Sequence, residues 1–268
     1  MKRLHKYPRT THIEGSRLQP GDETLADVPL RELAGRHLVI EEKIDGANCG
    51  VSFDQNEELH VQSRGHFLTG GPREKHFAML KTWASANRDA LWARLGTRFV
   101  AYGEWVFAKH TIFYDRLPHF FLEFDVLDTE RGNFLSTERR REMWSGSPVT
   151  SVPVLTEGAV IDRRSTVATL REWVRPSLYK SEEWREALFA AGESAGVACE
   201  VLDRETDRSD LAEGLYIKVE EEGRVVARHK FIRASFLTAV VESESHWLAR
   251  PIVRNVLAPG VDLFGADS

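Results

Sequence analysis

Residues 38–53 read LVIEEKIDGANCGVSF, the most informative stretch of the chain. Apolar and β-branched residues flank Asp45-Gly46 on both sides, and Asp-Gly is a frequent pair in two-residue hairpin turns. The pattern therefore predicts a strand, a tight turn and a second strand. Because side chains of a strand alternate between its two faces, charged residues collect on one of them. That face carries Glu41, Lys43 and Asp45, and the opposite face carries Ile40, Glu42 and Ile44.

Lys43 stands out because lysine is scarce in this chain. Nine of the 36 basic residues are lysines and 27 are arginines. A lysine can lose its proton and become a nucleophile, whereas arginine keeps its charge. Lys43 is therefore a candidate nucleophile, with a pKa expected to be lowered by neighbouring cations or a metal. Taken alone, the same stretch is also typical of an exposed, charged strand that ends in an Asp-Gly hairpin.

The rest of the chain contains more strand patterns than helix patterns, and short turns join several of the strands. Antiparallel pairing and an α+β fold are therefore expected, since regular βαβ alternation is missing. Predicted strands cover residues 59–62, 98–107, 120–128, 214–219 and 224–230. Predicted helices lie within 73–95, 137–144, 165–174, 181–191 (with Ser181 as N-cap) and 232–249.

Composition narrows the function classes. The 268 residues are 42% hydrophobic and 29% charged, which is ordinary for a globular protein, and no apolar run approaches the ~20 residues of a membrane helix. Two cysteines, Cys49 and Cys199, cannot form a disulfide framework, and no signal peptide precedes the first strand, so a reducing, cytoplasmic location is expected. A net charge of −5 argues against a protein that coats nucleic acid non-specifically.

Five short motifs follow Lys43 in order. They are SRG at 63–65, YGEW at 102–105, FLEFDV at 121–126, EGLYIK at 213–218 and RHK at 228–230. Together with EKIDGAN at 42–48, they resemble the covalent nucleotidyltransferase superfamily of polynucleotide ligases and capping enzymes, and most of all the RNA ligase 2 type of ATP-dependent RNA ligase. The resemblance covers roughly residues 35–235. It implies a nucleotidyltransferase fold in which antiparallel sheets, flanked by helices, enclose a nucleotide cleft.

The resemblance also implies a three-step reaction. Lys43 attacks the α-phosphate of ATP and becomes lysyl-AMP, with Mg²⁺ or Mn²⁺ as the metal. The AMP passes to a 5′-phosphate end, and a 3′-hydroxyl then displaces it. Nucleic acid ends, with RNA favoured, are therefore the expected partners, and no membrane partner is expected.

Residue roles follow from the motif positions. Carboxylates are hard oxygen donors that suit Mg²⁺, cations offset charge that develops on phosphate, and Phe124 offers a flat apolar surface to adenine. By default, however, an arginine such as Arg64 is a surface residue and a phenylalanine such as Phe124 is a core residue. The resemblance implies catalytic roles for Lys43, Asp45, Lys218 and Lys230; nucleotide contacts for Glu42, Ile44, Asn48, Arg64, Glu104, Phe124, Glu213, Lys218, Arg228 and Lys230; and metal binding by Glu104 and Glu213.

Two details of the late motifs qualify these roles. Glu213 and Lys218 have opposite strand parity, so either a bulge separates them or Glu213 precedes the strand. Arg228 and Lys230 share a face, but the family usually has lysine where this chain has Arg228. Charge is kept there, while a proton-transfer role is put in doubt.

The expected domain is residues 1–243, including an N-terminal arm, followed by a short tail at 244–268. That tail is too short for the OB domain of DNA ligases and capping enzymes. Residues 6–17 mix basic, aromatic and small polar side chains, which suits either a nucleotide or RNA contact or an arm packed on the surface. Sealing is then expected to be slow alone or to need an end-processing partner. A DNA-directed ligase and a non-catalytic binder of nucleic acid ends are the alternatives.

Overall fold

The structure is a computed structural model and describes residues 3–18, 27–159, 161–236 and 251–264. Within these residues, twelve strands form one sheet, and helices lie against it. The strands are β1 Thr11–Ile13, β2 Asp27–Val28, β3 Leu38–Lys43, β4 Ala47–Phe53, β5 Leu59–Ser63, β6 Phe99–Trp105, β7 Phe121–Asp128, β8 Asn133–Leu135, β9 Thr150–Ser151, β10 Val154–Ala159, β11 Gly214–Glu221 and β12 Arg224–Ile232. The α-helices are α1 Ala78–Ala86, α2 Arg88–Leu95, α3 Thr137–Trp144, α4 Val167–Trp173, α5 Trp184–Ser194 and α6 Cys199–Arg204.

The sheet consists of two halves joined by one short strand. The order is β10-β3-β11-β12-β8-β7-β6-β4-β5, and every pair along this path is antiparallel. The three-residue β8 pairs with β12 on one side and β7 on the other, and Phe134 takes part in both pairings. Lys218 of β11 pairs with Asp125 of β7, and Arg140 of α3 bridges Glu41 of β3 and Glu123 of β7, so the two halves face each other across a cleft.

The predicted hairpin at Asp45-Gly46 is wrong. β3 pairs with β10 and β11, whereas β4 pairs with β5 and β6, so the chain crosses from one half of the sheet to the other at this point. A glycine is required at position 46 for a different reason. A Cβ at Gly46 would lie 2.8 Å from the carbonyl oxygen of Trp105 and 2.7 Å from the Val106 side chain, so the crossing passes too close to the end of β6 for any other residue.

Two hydrophobic clusters back the cleft. The larger one fills the space between the β4–β7 half and helices α1 and α2, with Trp83 and Trp105 among its buried members. The smaller one covers the outer face of β3 and β11, where Leu38, Ile40 and Ile217 are fully buried. The alternation predicted for β3 is thereby confirmed, because its apolar residues pack outward and leave Glu41 and Lys43 on the cleft face.

Most of the predicted elements are present with small shifts. The helix at 137–144 is confirmed, while 73–95 is divided into a 3-10 turn (Pro72–Phe77), α1 and α2. Ser181 is not an N-cap, because α5 begins only at Trp184. The Ser181 hydroxyl is hydrogen-bonded to Asp115 instead. Most of the helix predicted at 232–249 lies outside the described residues.

The two ends of the chain pack on this frame. β1 of the N-terminal arm pairs in parallel with β12, and Tyr7 just before it is buried between the sheet halves. Residues 251–264 lie along the 106–117 segment. Cys49 and Cys199 are both free, and no helix of the described residues is long and apolar enough to cross a membrane.

Candidate active site

Lys43 lies at the end of β3, opposite Gly214 at the start of β11. Glu213 immediately precedes that strand. Strand alternation therefore does not fix the direction of its side chain relative to Lys218, and no bulge is needed between them. The Lys43 ammonium Nζ donates to Oε2 of Glu213 at 2.7 Å, and the Glu213 side chain is only 3% exposed. The two motifs that contribute these residues are 170 residues apart in the chain, and one β3–β11 pairing brings them together.

Glu104 approaches the same point from the other half of the sheet. It lies in β6, paired with Asn48 of β4, and its carboxylate is close enough to Lys43 for the two charges to act on each other. The side-chain oxygen Oδ1 of Asn48 is buried and has no hydrogen-bond partner among the described residues. The exposed Arg64 also acts on the charge of Glu104. We call Lys43, Asp45, Glu104 and Glu213 the reactive cluster.

Two carboxyl groups of the reactive cluster, those of Glu104 and Glu213, have raised pKa values. Burial raises the pKa of Glu104 to about 8, with Glu213 and Asp45 adding to the effect and Lys43 and Arg64 opposing it. Burial likewise raises the pKa of Glu213 to about 7, although Lys43 and Lys230 oppose it. The nearby cations therefore do not fully offset the burial of these two groups.

The pKa of Lys43 moves in the direction opposite to the prediction. Burial alone would lower it, but the charges of Glu213, Glu104 and Asp45 outweigh burial and raise it. In the metal-free protein Lys43 is therefore an ammonium group paired with carboxylates, not a neutral amine. The lowered pKa expected from the sequence requires positive charge that the protein itself does not supply.

A divalent cation fits this cluster. Glu104 and Glu213 offer carboxylate oxygens in a partly enclosed position, and hard oxygen donors are what Mg²⁺ and Mn²⁺ prefer. Burial raises the pKa of each of these two groups more than the nearby cations lower it, so a bound cation would stabilise their charged forms. The unpartnered Oδ1 of Asn48 is a further oxygen on the same pair of strands.

The Asp45 carboxylate is hydrogen-bonded to the backbone of a neighbouring segment. Its Oδ2 accepts from the amides of Thr111 and Ile112, each at 2.7 Å, and its own amide donates to the Tyr114 hydroxyl at 2.8 Å. Asp45 therefore ties the crossing after Lys43 to the 106–117 segment.

Glu42 and Ile44 point away from Lys43. The Glu42 carboxylate is 2% exposed and accepts from the Ser177 hydroxyl at 2.5 Å and from the Leu178 amide at 3.2 Å. Burial raises its pKa, with the two hydrogen bonds opposing the shift. The Ile44 side chain is 4% exposed and belongs to the larger hydrophobic cluster.

A second group of charges lies deeper between the sheet halves. We call it the inner cluster, and it is fully or almost fully buried except at Arg228. Arg140 bridges Glu41 at 2.7 Å and Glu123 at 3.3 Å. Lys218 bridges Glu41 at 3.0 Å and Asp125 at 3.1 Å. Its six members are Glu41, Glu123, Asp125, Arg140, Lys218 and Arg228, which is the third cation and lies 3.4 Å from Asp125.

The structure thus separates residues that the motifs place together. Lys218 is fully buried in the inner cluster, and Arg228 lies between Asp125 and the ring of Phe134, with its guanidinium carbon 3.8 Å from the ring centroid. Lys230, in contrast, is close enough to Glu213 to lower its pKa. Brought together at the reactive end are Lys43, Asp45, Asn48, Arg64, Glu104, Glu213 and Lys230.

Phe124 lies beside the inner cluster, and its backbone carbonyl accepts a hydrogen bond from Lys218. Its ring, 9% exposed, packs edge-on against Tyr7 at 5.1 Å and lies 6.0 Å from Tyr216. The Tyr7 hydroxyl donates to Oδ2 of Asp125 at 2.5 Å and is hydrogen-bonded to the Tyr216 hydroxyl. Tyr7 is therefore buried between the sheet halves and not packed on the surface, which was one of the two interpretations of the N-terminal arm.

Sequence reasoning missed four members of the inner cluster and the tyrosine that contacts it. These are Glu41, Glu123, Asp125, Arg140 and Tyr7. The strand alternation that placed Glu41 beside Lys43 was a usable signal for that residue. Nothing local marks Arg140, which follows two other arginines in α3, or Tyr7, whose partner Asp125 is 118 residues away.

Comparisons with known proteins identify similar folds. The fold is similar to several structures of Naegleria gruberi RNA ligase. A mutant with ATP and Mn has 17% sequence identity and a TM-score of 0.52, over 80% of this chain and 54% of that chain. A mutant with AMP and Mn has 16% identity and a TM-score of 0.52, over 80% of this chain and 55% of that chain. The ligase with PPi has 19% identity and a TM-score of 0.52, over 80% of this chain and 54% of that chain.

This chain spans about half the length of those ligase structures. The likeness confirms the predicted α+β fold, with its antiparallel sheet and flanking helices. No curated protein sequence matches the chain significantly. A family model described as RNA ligase matches residues 36–232, from just before β3 to the end of β12, so the chain belongs to the RNA ligase family.

Proposed function

We propose that this chain is an ATP-dependent RNA ligase that carries AMP on Lys43 between two transfer steps. The observation that carries the proposal is the pairing of Lys43 with Glu213 at 2.7 Å, opposite a second buried carboxylate, Glu104. A nucleophilic lysine beside oxygen donors short of positive charge is what attack on a nucleotide phosphate requires. Structures of the Naegleria gruberi ligase hold ATP and Mn, AMP and Mn, or PPi, and the proposal extends this ligand set to the present chain.

In the first step the Lys43 amine attacks the α-phosphorus of ATP. A P–N bond forms, the bond between the α-phosphorus and the bridging oxygen breaks, and pyrophosphate leaves with the electron pair. Lys43 must first lose a proton, which the pairing with Glu213 and Glu104 resists. When bound at Glu104 and Glu213, a divalent cation supplies the positive charge that offsets these carboxylates and the triphosphate.

The second and third steps return Lys43 to its free form. An oxygen of a 5′-phosphate end attacks the same phosphorus, the P–N bond breaks and the lysine amine is regenerated. A 3′-hydroxyl then attacks the phosphorus of the activated end, a phosphodiester forms and AMP leaves. Each step exchanges one bond to phosphorus for another, so no oxidant or second nucleotide is needed.

Other residues of the cleft have roles in binding. Arg64 and Lys230 are the cations placed to face phosphate, because both act on the carboxylates of the reactive cluster. Phe124 is the proposed adenine surface. Lys218 and Arg228 are committed to Asp125, so contact with a phosphate would require those ion pairs to be exchanged.

The test is transfer of label from ATP labelled at the α-phosphate, with Mg²⁺ or Mn²⁺ and no nucleic acid. Wild type should become labelled, and Lys43→Ala should not. Lys81→Ala is the matched control, because Lys81 pairs with Glu74 on the surface and should leave labelling unchanged. A folded wild type that takes no label with either metal would overturn the ligase proposal and leave a binder of nucleic acid ends.

The RNA preference is tested separately. Nicked duplexes and single strands with a ribose or a deoxyribose at the 3′-hydroxyl end are compared at equal enzyme concentration, since the 2′-hydroxyl is the group that distinguishes the two. Faster sealing of the ribose ends is expected. Equal rates would contradict RNA specificity and favour a DNA-directed ligase of the same chemistry.

A further inference from the structure

The segment at residues 251–258 pairs with the 106–117 segment through its backbone. The amide of Lys109 donates to the Val253 carbonyl at 2.8 Å, and that of Asn255 donates to the Phe107 carbonyl at 3.0 Å. Further along, the amide of Val256 donates to the Tyr114 carbonyl at 2.9 Å. These bonds hold residues 251–258 on the segment that continues from β6, beyond Glu104.

Asn255 joins the two sides of that segment with its side chain. It is 2% exposed, its Nδ2 donates to the Val106 carbonyl at 2.8 Å, and its Oδ1 accepts from the Tyr114 amide at 2.9 Å. A buried amide with both ends bonded to backbone fixes the distance between the groups that it bridges. Here it fixes the position of Tyr114 relative to the end of β6.

Tyr114 connects Asn255 to the segment that carries Lys43. Its hydroxyl accepts from the amide of Asp45, and the Asp45 carboxylate in turn accepts from the amides of Thr111 and Ile112 in the same segment. Asp45 is two residues after Lys43. The crossing that presents Lys43 is thus held only indirectly by residues 251–258, through one buried tyrosine.

We infer that Asn255 is a positioning residue for Lys43, acting through Tyr114 and Asp45, and that residues 251–258 are a working part of the catalytic unit. The inference rests on the proposed function, because its effect is on transfer of AMP to Lys43. A nucleophile displaced by a fraction of an ångström loses rate without a matching loss of substrate binding.

The test is single-turnover labelling of Asn255→Ala over a range of ATP concentrations, at a temperature where circular dichroism shows every variant folded. The rate constant should fall roughly 10- to 100-fold, as for loss of an outer partner of a reactive group. The ATP concentration for half-maximal rate should change less than about threefold. Labelling at the wild-type rate constant would overturn the inference.

Val253→Ala is the matched control. Val253 lies in the same segment and is 7% exposed, and its side chain belongs to the hydrophobic cluster that contains Phe113, Trp184 and Leu188, so its truncation removes apolar packing but no hydrogen bond to the 106–117 segment. This variant should unfold at a lower urea concentration than wild type and label at a rate within about threefold of it. An equal loss of rate in both variants would mean that stability alone explains the effect, which would also overturn the inference.

Two further measurements cover the remaining outcomes. If Asn255→Ala does not fold, Tyr114→Phe removes only the hydroxyl that accepts from Asp45, and it should slow labelling in the same way; a wild-type rate there would overturn the inference. Hydrogen exchange of the Thr111 and Ile112 amides should be faster in Asn255→Ala than in Val253→Ala. If wild type itself takes no label, the proposed function fails, whereas a labelled wild type with an unaffected Asn255→Ala means that only the positioning role fails.

Discussion

The reactive cluster and the inner cluster use the same strands to opposite effect. β3 contributes Lys43 to one and Glu41 to the other, only two residues apart. In the inner cluster three carboxylates meet three cations, and although burial alone would raise the pKa of Asp125, Lys218, Arg228 and Arg140 hold it below its usual value. In the reactive cluster three carboxylates have one close cation, Lys43, with weaker action from Arg64 and Lys230, and burial raises the pKa of Glu104 to about 8.

The difference in charge compensation between the two clusters makes the cleft rigid in one part and reactive in another. Removing one partner from a balanced set of buried charges leaves an uncompensated charge, so such a set fixes the geometry around it. A set with surplus negative charge instead costs stability until a cation binds, and stability is commonly sacrificed in this way at functional sites. The charges of the inner cluster are not fully compensated. Arg140 and Ser151 lower the pKa of Glu123, but burial raises it by more.

The largest expected effect comes from breaking the inner cluster. Lys218→Met should lower the free energy of unfolding by about 3–5 kcal/mol, because Lys218 is fully buried and both of its carboxylate partners would lose a cation. Urea denaturation measures the change. Lys81→Met removes a partly exposed ion pair with Glu74 and should cost less than about 1 kcal/mol. Similar losses in both variants would show that the inner cluster does not stabilise the fold.

A smaller effect of opposite sign is expected in the reactive cluster. Glu104→Gln should leave the metal-free protein as stable as wild type or raise its free energy of unfolding by up to about 2 kcal/mol, because a buried carboxylate facing other carboxylates is removed. The same variant should lose labelling from ATP. Urea denaturation in the presence of a chelator, together with the labelling assay, checks both. A loss of stability comparable to that of Lys218→Met would contradict the contrast between the clusters.

The last expected effect is a dependence of stability on pH. Glu104 and Glu213, with pKa values of about 8 and about 7 when folded, keep their protons where the unfolded chain, with glutamate near ~4.3, has lost them. The folded state therefore binds more protons between these limits, so this contribution to stability is present below about pH 4 and is lost as pH rises towards 8.

The measurement compares metal-free wild type with Glu104→Gln by urea denaturation from pH 5 to 8. The difference in stability between the two should grow in favour of Glu104→Gln as pH rises. Histidines titrate in the same range, but they contribute equally to both proteins and cancel in the difference. A difference that stays constant or shrinks over this range would contradict the raised pKa of Glu104.

The sequence predicted those features that depend on neighbours in the chain. Alternation along β3 placed Glu41 and Lys43 on one face, and the pattern at 137–144 gave the bounds of α3. The turn at Asp45-Gly46 failed because a glycine required by close approach to Trp105 looks the same as a glycine required by a hairpin. Ser181 failed as an N-cap because its partner, Asp115, comes from a distant loop.

The candidate site was predictable only through the order of motifs. No local pattern brings Glu104, Glu213 and Lys43 to one point, and family resemblance supplied that expectation. The same resemblance does not distinguish Lys218 from Lys230, because both lie on motif positions. Their separation into two clusters depends on the register of β11 against β3 and on Asp125 of β7, which are long-range properties.

Strand β8 has a mechanical consequence. Among the described residues it is the only strand through which the two halves of the sheet are hydrogen-bonded in the main path, with two residue pairs on each side. A rotation of one half against the other would strain β8 and also a second backbone link at residues 150–154, where β9 pairs with β7 and β10 pairs with β3. The side chains that resist such a rotation are those that bridge the cleft, among them Tyr7 between Asp125 and Tyr216. The width of the cleft therefore depends on these side chains as well as on two narrow backbone links.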